Sequence, residues 1–393
     1  MTPKRQLLKL SLGLVAAACG ATAGAADTGP IKIGLILPMT GQQASTGRQI
    51  DAAVKLWVAQ NGDKIAGRKV EIILKDDAAV PDTTKRLAQE LIVNDKVSVI
   101  AGFGITPTAL ATAPLATQSK TPLVVMAAAT SSITEASPYI VRTSFTLPQV
   151  TVGIADWAAK NKIKKAVTLV ADYGPGFDAE KFFDSQFRLN GGQILDKLRT
   201  PLRAPDFAPV LQKVLDAKPD ALFVFLPSGQ GAAFMKQFAE RGLDKSGVRL
   251  IATGDVTDDD QLNDMGDVAL GVVNSHHYSA AHPSPTNKKF VEAFQAANKF
   301  RPNFMAVGGY DGMRVIYKAL EASKGAGGDA LLDAMKGQVF ESPRGPVLID
   351  RQTRDIVQDV YIRKVERVPA MGNGLYNVEF DVIKGVKDPG KLK

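Results

Sequence analysis

Short apolar runs alternate with longer amphipathic segments along most of the chain, starting at Ile31. Residues 31–37 have the length and the continuous apolar character of a buried strand. The next segment, residues 47–60, places Ile50, Val54 and Trp57 on one helical stripe. Because strands and helices continue to alternate in this way, the pattern predicts βαβ units, an α/β fold and a mostly parallel sheet.

The same alternation runs to residue 126 and starts again after Arg142. In the first series we expect further strands at 70–74, 97–101 and 123–126, with helices at 82–93 and 107–119. In the second series we expect helices at 150–160, 178–190, 207–216 and 231–241, with strands at 166–171, 192–196, 221–226 and 249–252. A topology that repeats without a repeated sequence predicts two similar, doubly wound lobes.

Three segments without helical periodicity lie where one lobe should pass into the other: residues 139–145, 271–278 and 346–354. Three extended crossings form a three-segment hinge, in which a few residues absorb a large change of φ and ψ. Helices at 287–298 and 306–323 then return to the first lobe. The lobes are therefore expected to be discontinuous, with residues 26–143 and 277–350 in the N-terminal lobe and residues 144–276 and 351–393 in the C-terminal lobe.

The N-terminus has the pattern of a cleavable export signal. Three basic residues and no acidic residue surround the start of an apolar stretch at residues 10–18, and Ala23-Gly24-Ala25 fits the A-x-A cleavage pattern. The apolar stretch is shorter than the roughly 20 residues that a membrane-spanning helix needs. We therefore expect a signal peptide at residues 1–25 and an exported protein without a permanent anchor.

The only cysteine, Cys19, lies in this segment. A lipoprotein acylated at Cys19 is the alternative, but three alanines precede it where a larger aliphatic residue is usual. We expect cleavage instead, which leaves a mature chain without cysteine. Disulfides, thiolate catalysis and Cys-ligated metal sites are then excluded.

Length and charge narrow the class of protein further. A mature chain of about 365 residues exceeds the roughly 250 to 300 residues that one hydrophobic core supports, which agrees with two domains. The chain has 48 basic and 40 acidic residues. The basic residues are dispersed, whereas a nucleic-acid surface would gather them with aromatic residues on one face. No nucleic-acid partner is expected.

Motifs for cofactors, metals and catalysis are weak or missing. Gly102 and Gly104 follow a strand, but Pro107 occupies the third glycine position of a dinucleotide fingerprint. His276 and His277 are adjacent on extended chain and should point to opposite faces, so they do not chelate as a pair. The sequence contains no GxxxxGK[ST], HExxH or GxSxG motif. We expect no cofactor, no metal and no enzymatic activity.

Three consecutive segments resemble the periplasmic Leu/Ile/Val-binding protein family, the type I solute-binding proteins of ABC importers. They are IKIGLILPMTGQQASTGRQIDAAVKLWVAQNG, IAGRKVEIILKDDAAVPDTTKRLAQELI and VSVIAGFGITPTALATAPLATQSKTPLVVMAAAT. The resemblance extends over essentially the whole mature length. It implies a monomeric periplasmic receptor with the type I binding-protein fold, which closes about its hinge on a small-molecule ligand and delivers that ligand to an inner-membrane ABC permease.

In the first lobe, the resemblance points to the turns after the third and fourth strands. Thr106, at the start of a helix, is the match for a Ser or Thr that binds a ligand carboxylate, with Ile105 or Thr108 as alternatives and a plain helix cap as the other interpretation. Thr130 and the Ala128 backbone would bind a head group, unless Thr130 only accompanies a capping box of Ser132 and Glu135. Three further residues would line the pocket: Thr46, Phe103 and Ile105.

In the second lobe, Asp255 stands where the family places an acid that pairs with the ammonium group of an amino acid. The alternative interpretation groups it with Asp258, Asp259 and Asp260 as acids that precede a helix. Tyr173 would fold its ring over the ligand, and Ser228 lies in the next turn.

Two ligand classes stay open. The first is an amino acid, branched-chain or related, which Asp255 favours. The second is an aromatic or short-chain carboxylic acid, which the apolar Phe103 and Ile105 favour, since Thr46 and Ser228 replace tyrosines common in the family. A secreted α/β enzyme is disfavoured because the catalytic motifs are missing. A ligand-sensing regulator is disfavoured because it would not carry an export signal.

Overall fold

The structure, a computed structural model, describes residues 29–391. The expected signal peptide and Cys19 lie outside these residues. Six strands form the first sheet: β1 (Ile31–Leu37), β2 (Lys64–Ile65), β3 (Arg68–Asp76), β4 (Val99–Gly102), β5 (Leu123–Val125) and β6 (Ile140–Arg142). Their order is β2-β3-β1-β4-β5-β6, and every pair is parallel except β2 with β3.

Nine strands form the second sheet: β7 (Lys165–Ala171), β8 (Gln193–Thr200), β9 (Ala221–Phe225), β10 (Arg249–Thr253), β11 (Val273–His276), β12 (Val339–Ser342), β13 (Gly345–Ile349), β14 (Ile356–Val368) and β15 (Gly374–Val386). The order is β12-β13-β14-β11-β10-β9-β7-β8, and β15 pairs with β14. Strands β7 to β11 pair in parallel, whereas β12 to β15 are antiparallel additions.

Helices connect and cover the strands of both sheets: α1 (Ala44–Asn61), α2 (Pro81–Val93), α3 (Thr106–Ser119), α4 (Leu147–Lys160), α5 (Gly174–Leu189), α6 (Ala208–Ala217), α7 (Gly231–Glu240), α8 (Leu262–Met265), α9 (Pro285–Asn298), α10 (Phe304–Ala322) and α11 (Gly328–Met335). Helices α9 and α10 pack against α1, so the chain does return to the first lobe after β11. No helix within residues 29–391 is long and apolar enough to cross a membrane.

Two hydrophobic cores hold the lobes together. The larger core surrounds the first sheet and continues through the segments between the lobes to one face of the second sheet, as Val150, Phe183 and Phe223 show. The smaller core lies on the other side of the second sheet and includes Leu211 and Phe234. Both sheets are therefore covered on both faces, as parallel strands with continuous apolar runs require.

The third expected crossing includes a strand of the second sheet. Residues 346–354 were expected to cross between the lobes as extended chain, and residues 345–349 are extended as strand β13, which pairs with β14. The backbone amides and carbonyls of β13 pair with those of β14 in an antiparallel ladder, and buried backbone groups need such partners. Strand β14 pairs with β13 at its start and with β11 further along. The lobe boundaries remain predictions.

Three fully buried arginines tie the crossing segments to one another. Arg142 forms an ion pair with Asp355, with 2.8 Å between Nε and Oδ1. Arg344 donates to the Thr143 and Ser144 carbonyls, and its Nη2 lies 2.8 Å from an Asp311 oxygen. Arg363 Nε donates to Asn274 Oδ1 over 2.7 Å. The hinge therefore contains buried charges, most of which have close partners.

Candidate functional site

A cavity lies between the lobes, at the carboxyl ends of strands from both sheets. In open α/β sheets this edge is where ligands bind. Six of the residues expected from the sequence line it: Ile105, Thr106, Ala128, Tyr173, Ser228 and Asp255. The site thus combines the turns after β4 and β5 with those after β7, β9 and β10.

The turn after β4 has a backbone that explains its glycines. Gly102 has φ +114°, and a Cβ there would lie 2.2 Å from the Ile36 carbonyl oxygen. Phe103 follows with φ +66°, and its side chain is fully buried in the first-lobe core. Phe103 is not among the residues that line the cavity, and its contact with a ligand remains a prediction. Its carbonyl oxygen instead accepts from the Ala128 N–H over 3.0 Å, which joins the two first-lobe turns.

Thr106 is the first residue of α3, with Ile105 at the N-cap position, so the expected cap is displaced by one residue. Thr106 Oγ1 lies 2.8 Å from Thr130 Oγ1 in a buried hydrogen bond. The two candidate hydroxyls are therefore paired, and the free amide end of α3 faces the cavity, where its dipole favours an anion.

Thr130 and Thr46 are buried close to the cavity but are not among its lining residues. Thr130 precedes a 3₁₀ helix, Ser131–Glu135, and the expected capping box of Ser132 and Glu135 is not formed. Thr46 lies behind Gly104, where a Cβ would come 3.6 Å from its methyl carbon. Their direct contact with a ligand remains a prediction, although Thr130 reaches the site through Thr106.

The second lobe contributes aromatic walls. Tyr173 stacks on Phe225, with ring centroids 6.1 Å apart and 20° between the planes. Burial raises the pKa of Tyr173 well above its usual range, and the charge of Asp255 adds to the effect. The tyrosine therefore stays neutral, with its hydroxyl able to donate.

Several lining residues were not predicted: Gln43, Phe145, Leu147, Phe225 and Met305. Phe145 belongs to the first crossing, Leu147 begins α4, and Met305 lies in the first turn of α10. Their positions follow from long-range packing, for which no local pattern exists. The expectation of a hinge at 139–145 was the one signal that could have suggested Phe145.

Asp258 and Asp260 do not precede a helix directly, since α8 begins at Leu262. Ser228 donates to Asp258, and Asn303 Nδ2 donates to the same carboxylate over 3.0 Å. Ser45 Oγ donates to Asp260 Oδ2 over 2.7 Å. Burial, followed by the charge of Asp260, raises the pKa of Asp258 well above its usual range. These carboxyl groups join the two lobes beside the cavity.

Asp255 lines the cavity and is only 4 % exposed. Its Oδ2 lies 3.5 Å from Nε2 of the fully buried His276. Burial lowers the pKa of His276 to about 4, although the contact with Asp255 opposes this shift. The rings of His276 and His277 are 4.4 Å apart, so the expectation of opposite faces is wrong. Strand β11 ends at His276, and the alternation of a strand no longer applies to His277.

Comparisons with known proteins agree with this architecture. A sequence model of the family described as periplasmic binding protein matches residues 30–372. A solute binding protein of an ABC transporter from Rhodopseudomonas palustris BisB5, in complex with 3,4-dihydroxy benzoic acid, is 64% identical, with a TM-score of 0.91 over 92% of this chain and 99% of that chain.

Two further relatives carry different ligand names. A solute binding protein from Rhodopseudomonas palustris HaA2, in complex with p-hydroxybenzoic acid, is 42% identical with a TM-score of 0.89, again over 92% of this chain and 99% of that chain. The Leu/Ile/Val-binding protein homolog 6 of Brucella abortus (strain 2308) is 42% identical over 94% of this chain and 95% of its own length. Sequence similarity therefore covers the whole site.

Proposed function

Since this chain belongs to the periplasmic binding protein family, as a solute-binding protein of the ABC type, we propose that it captures an aromatic carboxylic acid between its lobes. The observation that carries this proposal is the chemistry of the cavity, which has aromatic and aliphatic walls and one anion-binding end. An inner-membrane permease would receive the ligand, after export directed by a signal at residues 1–25.

The cavity walls suit a flat apolar ring. Apolar side chains from both lobes and from the crossings surround the space: Ile105, Phe145, Leu147, Phe225 and Met305. Aromatic rings prefer offset or edge contacts with such neighbours, and each pair adds about 0.5 to 1.5 kcal/mol beyond area burial. Tyr173, already stacked on Phe225, extends this surface.

The anion-binding end suits a carboxylate. At the start of α3, the Thr106 N–H has no partner within the helix, whereas Pro107 lacks an N–H and the Thr108 N–H donates to the Ile105 carbonyl. Beside it, the hydroxyl pair of Thr106 and Thr130 can supply a donor, because the hydroxyl that accepts within the pair keeps its own hydrogen free to donate outward. Hydrogen bonds to a charged acceptor are stronger than neutral ones.

An amino acid is the second candidate, and a specific observation favours it. Asp255 is a buried carboxylate at the cavity wall, where it could pair with an ammonium group. The name of the Brucella abortus relative points to the same class. The two solved structures named above, which include the 64% identical one, instead hold hydroxylated benzoic acids.

Calorimetric titration of the purified protein, after unfolding and refolding to remove any bound ligand, tests the proposal. We expect 4-hydroxybenzoate and 3,4-dihydroxybenzoate to bind with micromolar or tighter dissociation constants, and leucine not to bind at millimolar concentration. Binding of leucine without binding of any benzoic acid would overturn the proposal and favour the second candidate.

A matched pair of threonine variants locates the carboxylate. Thr130→Val removes the hydroxyl next to Thr106, and we expect about a tenfold loss of affinity for every benzoic acid, as for one hydrogen bond to a charged group. Thr112→Val is the control, because its buried hydroxyl donates within α3 to the Thr108 and Ala109 carbonyls. Equal loss in both variants would place the carboxylate elsewhere.

A further inference from the structure

We infer that Asp255, positioned by His276, selects aromatic acids that carry a ring hydroxyl. The second lobe would then bind the end of the ligand that lies opposite its carboxylate. This inference rests on the proposed function and names the ligand class more narrowly. Oδ2 of Asp255 is buried at the cavity wall and accepts no hydrogen bond from the residues that the structure describes.

The surroundings of Asp255 hold its carboxylate in place without satisfying it. His276 Nε2 lies 3.5 Å from Oδ2, longer than a good hydrogen bond. The His276 ring is fixed between Phe145 and Phe304, with centroid distances of 4.7 Å and 4.2 Å. Gly254 permits this packing, because a Cβ there would lie 2.7 Å from the His276 Cβ and 1.9 Å from Arg363 Nη2.

Charges around the pair favour a neutral donor from the ligand. Burial keeps His276 uncharged near neutral pH, so only one of its ring nitrogens carries a hydrogen. Arg363 supplies the nearby positive charge, whereas burial favours the neutral form of the nearby Asp258. Tyr173 faces the same carboxylate. The Asp255 carboxylate therefore lies near a positive charge but still lacks a hydrogen-bond donor.

A ring hydroxyl meets this need, whereas an unsubstituted ring does not. An ionised carboxylate only accepts hydrogen bonds, and a buried one without a donor costs free energy. A phenolic hydroxyl stays protonated near neutral pH and can donate. Because the carboxylate end lies on the first lobe and Asp255 on the second, a hydroxylated benzoic acid would contact both lobes through its polar ends. Unsubstituted benzoate would leave Asp255 unpaired on closure.

The ratio of two dissociation constants, benzoate over 4-hydroxybenzoate, measures the selection. We expect a ratio of 30 or more in the wild-type protein, by the order of magnitude for leaving a buried polar group unpaired. Asp255→Leu removes the acceptor, and the ratio should fall to about 1. Thr130→Val is the matched control, because it weakens the binding of both ligands and leaves the ratio unchanged.

His276 is a positioning residue, and its test separates this role from simple support of the fold. His276→Phe keeps the ring packing but removes the N–H, so the ratio should fall at least threefold, whereas a general packing defect would weaken both ligands equally. His276→Gln keeps a donor and should restore most of the ratio. Unchanged ratios in both variants would overturn the role of His276.

Asp255→Asn separates a hydroxyl site from an ammonium site. Its amide oxygen still accepts from a phenol, so we expect 4-hydroxybenzoate to bind with a reduced ratio of about 5. An ammonium ligand would instead lose nearly all affinity. A ratio that stays high in Asp255→Leu overturns the inference while the proposed function stands. Failure of every benzoic acid to bind the wild-type protein would refute the proposed function itself.

Discussion

Buried titratable side chains are concentrated where the two lobes meet. His276 and His277 are fully buried, and burial lowers the pKa of both, to about 4 for His276 and well below the usual value for His277. Burial raises the pKa of Asp258 and Asp259 nearby. Near neutral pH the interface therefore holds neutral imidazoles beside carboxyl groups that take up protons readily.

Removal of the His276 imidazole should flatten the pH dependence of stability. An unfolded chain protonates this histidine below pH 6.5, whereas the folded protein keeps it neutral to about pH 4. The unfolded state thus binds more protons in this window, so the free energy of unfolding falls as the pH falls. Each pKa unit corresponds to 1.36 kcal/mol, so the contribution of His276 is about 3 kcal/mol.

The measurement is urea unfolding of the wild-type protein and His276→Phe between pH 7 and pH 4. We expect the wild-type protein to lose about 3 kcal/mol more than the variant across this range. Asp258 and Asp259 act in the opposite direction in both proteins, so their contributions largely cancel in the difference. Parallel curves would show that His276 is already protonated in the folded protein or does not titrate in this window.

Which single residues face the cavity could be predicted only in part. Ile105, Thr106, Tyr173 and Asp255 were found because they follow strand ends, where parallel sheets place ligands. The left-handed backbone of Phe103 was not predicted, because a positive φ is uncommon at a non-glycine residue.

At the scale of elements, two glycines in the first turn of α5 permit close contacts that a larger residue would block. A Cβ at Gly174 would lie 2.8 Å from Thr130 Oγ1, which belongs to the other lobe. A Cβ at Gly176 would lie 1.8 Å from the Ala171 carbonyl oxygen, within the same lobe. One glycine therefore permits the lobes to meet, and the other permits the helix to pack on its own strand.

We expect Gly174→Ala to impair ligand binding while leaving the fold intact. The added methyl group collides with Thr130 only when the lobes are together, so it disfavours the closed state and should weaken 4-hydroxybenzoate binding at least tenfold. The ligand-free melting temperature should change by less than 2 °C, on the order of a surface substitution. Gly176→Ala should instead lower the melting temperature strongly, because its clash with backbone is present in every state.

Thermal unfolding with and without ligand distinguishes the two variants. A large drop in the melting temperature of ligand-free Gly174→Ala would mean that the lobes touch at this point in the absence of ligand as well.

Helices and parallel strands were predictable because their periodicity is local. The expected helix at 82–93 and the expected strand at 221–226 each match an observed element within one residue. The antiparallel strands β12 to β15 were not predicted, since their partners are set by pairing between distant segments. The start of α4 at Leu147 was also missed, although Thr146 and Gln149 form a capping box that the sequence displays.

At the scale of the whole molecule, the two-lobe α/β fold and the family are confirmed. The lobes meet in a contact that no local sequence pattern records. Ser45 donates to Asp260, Asn303 donates to Asp258, and the Ser131 N–H donates to Asp178 over 2.8 Å. These hydrogen bonds join the lobes on both sides of the cavity. They stabilise the closed state, and the bound ligand supplies the rest of the free energy that favours closure.

A substitution of Ser45 tests how much the hydrogen bonds between the lobes contribute to closure, because it changes little else. Ser45→Ala removes one hydrogen bond between the lobes and leaves the cavity walls untouched. A net hydrogen bond contributes about 0.5 to 1.5 kcal/mol, so we expect the dissociation constant for 4-hydroxybenzoate to rise between about twofold and tenfold. The melting temperature without ligand should stay the same if the open state predominates there.

Small-angle X-ray scattering decides whether the loss acts through closure. With saturating ligand, both proteins should reach the same compact radius of gyration, but Ser45→Ala should need more ligand to do so. Ser119→Ala is the control, since its hydroxyl donates to the Leu115 carbonyl at the far end of α3. A ligand shifts a conformational equilibrium only by its differential affinity for the two states. Equal affinities of wild-type and Ser45→Ala would therefore mean that this hydrogen bond is replaced by water at no cost, and that the ligand alone holds the lobes together.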